Sequence, residues 1–148
     1  MKTTFSISVT DFKTEESENA VGQITIGDFT EEFIISLKFA SIDDYTKQWH
    51  KALTEILKEK TAVVLMQCLV PKGIDSFRRA WILYREEKNI YVQENLFPAD
   101  LHNIKYDEKG VPINIPIREI ISEDGDQISE WEMSTKDVYY FLEDINAI

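Results

Sequence analysis

The stretch from Ser41 to Lys60 decides the fold, and it reads SIDDYTKQWHKALTEILKEK. Its large apolar residues recur every three or four positions, as one face of an α-helix requires; they are Tyr45, Trp49, Leu53, Ile56 and Leu57. Ser41 can cap the helix N-terminus, and Asp43 and Asp44 place negative charge against the positive end of the helix dipole. Lys58 and Lys60 supply the opposite charge at the other end. We therefore predict an amphipathic helix over about residues 41–59.

The residues before this helix alternate between polar and apolar side chains, which is the pattern of strands with one face in a core. Phe5, Ile7 and Val9 are the apolar members of the first such run. Two further runs, Val21 to Phe29 and Glu32 to Phe39, follow after an acidic segment. We expect the three strands to form an antiparallel meander.

The residues after the helix predict a second set of strands. Thr61 to Val70 is apolar almost without interruption, which favours a central strand buried on both faces. Phe77 to Arg85 and Ile90 to Asn95 follow as the next two strands, with polar turn residues between them. The segment 98–116 contains three prolines and little periodicity, so we interpret it as a long loop.

The C-terminal part of the chain predicts a hairpin and a second helix. Ile117 to Ser122 and Gln127 to Met133 flank an Asp-Gly pair, which readily adopts the positive φ angles of a tight turn. From about residue 134 to 145 the apolar residues return to helical spacing. The predicted fold class is therefore α+β: one domain over residues 1–148, in which a mostly antiparallel sheet packs against both helices.

The composition limits where the protein works and what it binds. A chain of 148 residues with 43% hydrophobic content can bury a core without a metal or a disulfide. The N-terminal residues lack the continuous apolar region of a secretory signal, and Cys68 lies in an apolar run, so we expect a cytoplasmic protein. The net charge of −11 argues against nucleic-acid and membrane partners and suits a basic protein.

Residues for catalysis or for a cofactor form no recognisable motif. His50, His102 and Cys68 are too few and too scattered for a metal site built from nitrogen and sulfur ligands. No phosphate-binding glycine loop and no activated nucleophile is evident. Asp124 and Asp126 resemble the start of a calcium loop, but the acid expected at its twelfth position is missing, which favours a hairpin turn. We expect no enzyme, no cofactor and no metal; a small hydrolase that uses His50 or His102 is the enzymatic alternative.

Basic residues beside aromatic ones offer a second alternative. Arg78 and Arg79 precede Trp81 and Tyr84, a combination that can stack on nucleic-acid bases. In a chain this acidic, we expect these arginines to lie on a solvated face or in internal ion pairs.

Acidic residues are concentrated at the C-terminal end. From Glu119 onward a single basic residue, Lys136, opposes a long series of carboxylates: Glu119, Glu123, Asp124, Asp126, Glu130, Glu132, Asp137, Glu143 and Asp144. So much uncompensated charge repels itself unless a cationic partner relieves it. We therefore predict a functional acidic surface on the final hairpin and helix.

Four short segments carry a resemblance to a known family. They are REIISEDGDQISEW at residues 118–131, the helix around YTKQW at 45–49, the strand that contains Trp81, and YVQEN at 91–95. In these segments and in their order the chain resembles immunity proteins of bacterial contact-dependent growth inhibition systems. The resemblance implies a cytoplasmic, non-enzymatic protein that binds the C-terminal toxin domain of a large secreted protein, one to one, and neutralises it. Such toxins are frequently nucleases, which have basic substrate-binding surfaces.

The acidic turn is the first candidate for partner binding, and the acidic loop after the first strand is the second. The candidate residues are Glu123, Asp124, Asp126, Glu130 and Glu132 in the turn, and Asp11, Glu15, Glu16 and Glu18 in the loop. We expect the apolar residues around the turn, Ile117, Ile120, Ile128 and Trp131, to pack within the sheet. A chaperone or adaptor for a basic protein is the competing binding hypothesis, and the sequence leaves open whether a toxin's active site or a neighbouring surface is covered.

Overall fold

The described residues form two antiparallel sheets and two helices. A computed structural model describes residues 5–11, 19–37, 40–65, 77–98, 105, 111–113, 115 and 117–146. In chain order the elements are β1 (Phe5–Asp11), β2 (Asn19–Ile26), β3 (Phe29–Ser36), α1 (Ile42–Ile56), β4 (Thr61–Leu65), β5 (Phe77–Glu86), β6 (Asn89–Pro98), β7 (Trp131–Ser134) and α2 (Thr135–Asn146). This arrangement confirms the predicted α+β class.

The first sheet is the predicted meander, with strand order β1-β2-β3. Along β2 buried residues alternate with more exposed ones, because successive side chains of a strand point to opposite faces. Its turn falls at Gly27 and Asp28, where Gly27 has a φ of 60°. Phe29 therefore begins β3, whereas the sequence placed it at the end of the second strand. Phe39, the predicted end of the third strand, lies outside the described residues.

The second sheet has the strand order β4-β5-β6-β7, which corrects one expectation. The apolar strand that begins at Thr61 is an edge strand in the described part of the sheet, and β5 is central. Residues 62–64 are nonetheless buried, because α1 packs against β4. Gln48 of α1 donates a hydrogen bond from Nε2 to the Val63 carbonyl at 2.6 Å. Burial of this edge strand under α1 therefore explains the apolar run from which we predicted a central strand. The remainder of this run, including Cys68, lies outside the described residues.

Helix α1 begins as the sequence predicts. The Ser41 hydroxyl accepts a hydrogen bond from the Asp44 amide at 3.1 Å, and the Asp44 carboxylate accepts one from the Ser41 amide at 2.9 Å. The helix ends at Ile56, earlier than predicted, and Lys58 and Lys60 lie beyond its last turn. Arg85 of β5 instead donates hydrogen bonds to the carbonyls of residues 57, 58 and 59. The cation at this helix end therefore comes from a distant strand.

Helix α2 joins the two sheets. It begins directly after β7 of the second sheet, with the Asp137 amide donating to the Ser134 hydroxyl at 3.2 Å. Its Phe141 ring then packs edge-on against Phe5 of the first sheet, at a centroid distance of 5.3 Å. One hydrophobic core includes residues of both sheets and both helices, so the described elements pack as one unit.

Candidate partner-binding surface

Residues 117–130, which we call the acidic arm, lie between the loop region and β7. Near its tip the arm doubles back: the Ser122 amide donates to the Asp126 carbonyl at 2.7 Å, and the Ile128 amide donates to the Ile120 carbonyl at 2.9 Å. Gly125 has a φ of 86° at this turn, as its position in an Asp-Gly pair predicts. The strand predicted over Ile117 to Ser122 does not form, and of the strand predicted over Gln127 to Met133 only the last three residues do, as part of β7. Between the two segments only the isolated bridge of Ile121 and Gln127 forms. Regular pairing begins at Trp131, where the chain meets β6.

A polar cluster fixes the base of the arm, and we call it the clamp. Arg118 donates to both carboxylate oxygens of Glu130, at 2.7 and 2.5 Å, and to Glu86 at 2.6 Å. Its guanidinium also lies 3.7 Å from the centre of the Tyr91 ring. Gln93, which is 3% exposed, donates from Nε2 to Glu130 Oε2 at 2.8 Å and to the Glu119 carbonyl at 2.9 Å. Side chains of β5 and β6 thus hold both ends of the arm.

The clamp also sets the charge state of Glu130. Hydrogen bonds from the Arg118 guanidinium lower the pKa of the Glu130 carboxyl below its ordinary value, and the bond from Gln93 acts in the same direction. Burial acts in the opposite direction, and it is outweighed. Glu130 is therefore an ionised member of an internal ion pair at neutral pH. Its position differs in kind from that of the exposed carboxylates farther along the arm.

The exposed carboxylates of the arm and β7 form the electrostatic part of the candidate surface. Glu123, Asp124 and Asp126 lie together at the tip, Glu119 is exposed at the base, and Glu132 is exposed on β7. Within the described ranges, none of the five forms a salt bridge with another residue. Their negative charge is therefore uncompensated within the described part of the protein.

The second candidate surface, the acidic loop, is only partly described. The backbone of Asp11 ends β1, and Glu15, Glu16 and Glu18 lie outside the described residues. The arm is therefore the candidate surface whose geometry the structure describes.

Three isoleucines of the arm are exposed, and for two of them, Ile117 and Ile120, this contradicts the expectation from the sequence. Ile117 is 89% exposed, Ile120 is 55% exposed and Ile121 is 56% exposed. Ile117 and Ile120 were expected to pack within the sheet, but the arm lacks the strands that would have turned them inward. Trp131 is partly buried as expected, because it begins β7 and stacks on Phe29 at a centroid distance of 4.1 Å.

The described residues that we considered for base stacking and for catalysis lie outside the arm. Arg79 forms a salt bridge with Glu94. Trp81 is fully buried, so its ring is not accessible for stacking on nucleic-acid bases. Among the described residues, no group of three or more His, Cys, Asp or Glu could hold a metal ion. His50 lies partly buried on α1, and its carbonyl accepts a hydrogen bond from Thr54; His102 lies outside the described residues. In the same ranges no helix has the length and apolarity needed to cross a membrane.

A groove of about 960 Å³ runs between α1, β4 and residues 111–113 and 115. Its walls carry charges of both signs, and several of these are already paired. Lys47 forms a salt bridge with Asp43 at 2.8 Å, and Arg85 caps α1. The groove therefore lacks the convergent single-sign charge that would define a site for an ionic ligand.

Three comparisons with known proteins agree with one another. The family model of the CdiI N-terminal domain matches residues 35–141, a region that contains α1, the second sheet and the arm. Immunity protein CdiI of Enterobacter cloacae subsp. cloacae is 32% identical over 126 residues, which is 83% of this chain and 84% of that protein. A chain of the CdiA-CT/CdiI toxin and immunity complex from Enterobacter cloacae is similar with a TM-score of 0.77 and 28% identity, over 97% of this chain and 99% of that one.

Proposed function

Because the chain belongs to the CdiI N-terminal domain family, we propose that it is an immunity protein that binds and neutralises the C-terminal toxin domain of a CdiA-like protein. The observation that carries the proposal is the similarity to a chain of a toxin and immunity complex over nearly the whole length of both chains. A match of this extent includes the arm and the sheets that support it.

We propose that neutralisation occurs by stoichiometric binding without turnover. The arm provides exposed, uncompensated carboxylates at Glu123, Asp124 and Asp126, with Glu132 nearby in sequence on β7. Glu130 supports the surface from within the clamp, where it holds Arg118. The acidic loop from Asp11 to Glu18 is the second proposed contact region.

We propose further that the toxin is a nuclease and that both proteins meet in the cytoplasm. A nuclease must attract phosphates, so its substrate-binding surface is basic. An acidic arm on such a surface competes with nucleic acid and accelerates association by electrostatic steering. Binding of this kind weakens as salt rises, because salt screens charges that lie more than about 8–10 Å apart.

Co-expression tests the proposal most directly. The C-terminal domain of the CdiA-like protein encoded beside this gene is induced in cells with or without this chain. We expect growth arrest without it and growth with it. Arrest in both cases would show that the chain does not neutralise this toxin, and growth in both would show that the domain is not a toxin. Incubation of the purified domain with RNA and DNA then reports whether it is a nuclease, and added immunity protein should stop cleavage at a one-to-one ratio.

Charge reversal tests the role of the arm. The triple variant Glu123→Lys, Asp124→Lys, Asp126→Lys should bind the toxin domain at least about tenfold more weakly, and its binding should depend less on salt. The control reverses three exposed acids outside the arm and α2, Glu32, Glu55 and Glu59, which changes net charge by the same amount. Equal losses for the two triples would mean that only net charge matters and that the arm is not the contact surface.

A further inference from the structure

We infer that Ile117, Ile120 and Ile121 form the apolar anchor of the toxin-binding surface, with the exposed carboxylates of the arm as its rim. The inference rests on the proposed function, and it adds residues that the acidic pattern does not indicate. It also states the chemistry of the partner: a toxin surface with an apolar depression bordered by Lys and Arg side chains.

The exposure of these isoleucines is the first observation. Isoleucine is among the residues most often buried in folded proteins, and single exposed apolar residues are common. Here three lie within five consecutive positions, and each is more than half exposed. Contiguous exposed apolar surface marks interaction sites on soluble proteins, and we infer such a surface from residues this close in sequence.

The clamp is the second observation, because it shows that the isoleucines do not attach the arm to the protein. Polar contacts hold the arm, through the Arg118 side chain, the Glu119 carbonyl and the Glu130 carboxylate. The isoleucine side chains are therefore available to a partner without local unfolding. Since the backbone between them is already fixed at Glu119, a partner does not need to order it, and the loss of entropy on binding is smaller.

The rim charges identify the kind of partner. Glu119, Glu123, Asp124 and Asp126 are exposed and form no salt bridge with another described residue. An apolar centre within an acidic rim repels anionic lipid and nucleic acid. A second copy of this chain would bring two acidic arms together, which like-charge repulsion opposes. A basic protein surface is complementary to both the isoleucines and the acids. Apolar anchors at the centre of an interface supply most of the affinity, and the charges of the rim steer association.

Alanine substitutions test the anchor. We expect Ile117→Ala, Ile120→Ala and Ile121→Ala each to weaken binding of the toxin domain about tenfold, and the triple variant at least about a hundredfold, mainly through faster dissociation. The salt dependence of the remaining affinity should equal that of the wild type, because no charge is removed. This separates the anchor from the rim, whose reversal lowers the salt dependence.

Ile34→Ala is the matched control, because Ile34 of β3 is 46% exposed and lies outside the arm. It should bind the toxin domain within about twofold of wild type, and all variants should keep the wild-type melting temperature within a few degrees. A triple variant that binds as tightly as wild type would overturn the inference, as would an equal loss in the control. So would a dimer of the free wild-type protein that the triple variant abolishes, since the cluster would then serve self-association. Failure of the wild type to bind or protect is a different result, and it refutes the proposed function itself.

Discussion

The clamp makes a quantitative prediction, because Arg118 pairs with two carboxylates in different environments. The Glu130 side chain is 17% exposed, whereas the Glu86 side chain is 60% exposed. Glu130→Gln and Glu86→Gln remove one negative charge each from the same guanidinium at nearly unchanged side-chain volume. Comparison of the two variants therefore isolates the effect of burial and hydrogen bonding from the effect of charge alone.

The decrease in the free energy of unfolding follows from the contacts that each variant loses. In Glu130→Gln the amide presents a donor where Arg118 needs an acceptor, so one guanidinium N–H loses its partner in a largely buried position. Leaving a buried donor unsatisfied costs about 1–3 kcal/mol, and partial access to water places this case near the middle, at about 2 kcal/mol. Exposed ion pairs contribute at most about 1 kcal/mol, because water and salt screen them, so Glu86→Gln should cost less than that. For a domain of this size, the loss of about 2 kcal/mol in Glu130→Gln lowers the melting temperature by about 4–8 °C.

Urea denaturation at neutral pH measures both free energies of unfolding. The pH dependence supplies an independent check, because the folded-state pKa of Glu130 lies below its ordinary value. A carboxylate of this kind contributes stability that is fully present above its unfolded pKa and is lost as pH falls through its folded pKa. The difference between wild type and Glu130→Gln should thus stay constant from about pH 6 to 8 and shrink below about pH 4. Equal destabilisation by the two variants, or a difference that grows in acid, would refute this reasoning.

Three further predictions concern the stability of the first sheet and of α1. Gly22→Ala should destabilise the protein by about 1–3 kcal/mol, because its new methyl group would lie 2.6 Å from the ring of Phe33; an unchanged denaturation midpoint would show that the ring moves freely. Arg85→Met should cost about 1 kcal/mol and speed amide hydrogen exchange at the C-terminal end of α1, since the carbonyls of residues 57–59, directly after the helix, lose their donor; equal exchange in both proteins would show that Arg85 does not stabilise this end. Ser41→Ala should cost about 1 kcal/mol by thermal denaturation, whereas Ser41→Asp, which can still accept from the Asp44 amide, should cost less; the reverse order would count against the capping box.

The elements that the sequence predicts correctly depend on local patterns. Helix α1 begins at its capping box, and its buried residues recur at the predicted spacing, since both properties are set within a few positions of the chain. The meander follows from runs of alternating polar and apolar residues, although the sequence did not place the turn at Gly27 and Asp28. Local consistency of this kind needs no knowledge of distant partners.

The errors arise where distant parts of the chain meet. The apolar strand β4 resembles a central strand in sequence, because a covering helix and two neighbouring strands bury a residue equally well. The end of α1 was misjudged for the same reason, since its cation is Arg85, which lies 26 to 28 positions after the carbonyls it caps. Neither relation leaves a periodic signal in the sequence.

The candidate site also has one feature that the sequence predicts and others that it does not. Its charge is visible in the sequence because acids without neighbouring bases can be counted. The exposed isoleucines are not, since an apolar residue in an irregular segment has the same appearance whether it faces a core or a partner. The sequence predicts no site role for Arg118 and Gln93, because the contacts of the clamp join residues up to 37 positions apart.

The clamp implies that the acids of the arm belong to two classes that one pair of measurements can separate. Glu130 is held by Arg118 and Gln93, so its loss should lower both the stability of the free protein and its affinity for the toxin domain. Glu123 and Asp124 have no salt bridge within the described residues, and they repel the other acids around them. Neutralising either of the latter relieves repulsion in the free protein and removes attraction in the complex, so stability should hold or rise while affinity falls. Residues of the binding surface are therefore those whose substitution weakens binding without destabilising the fold.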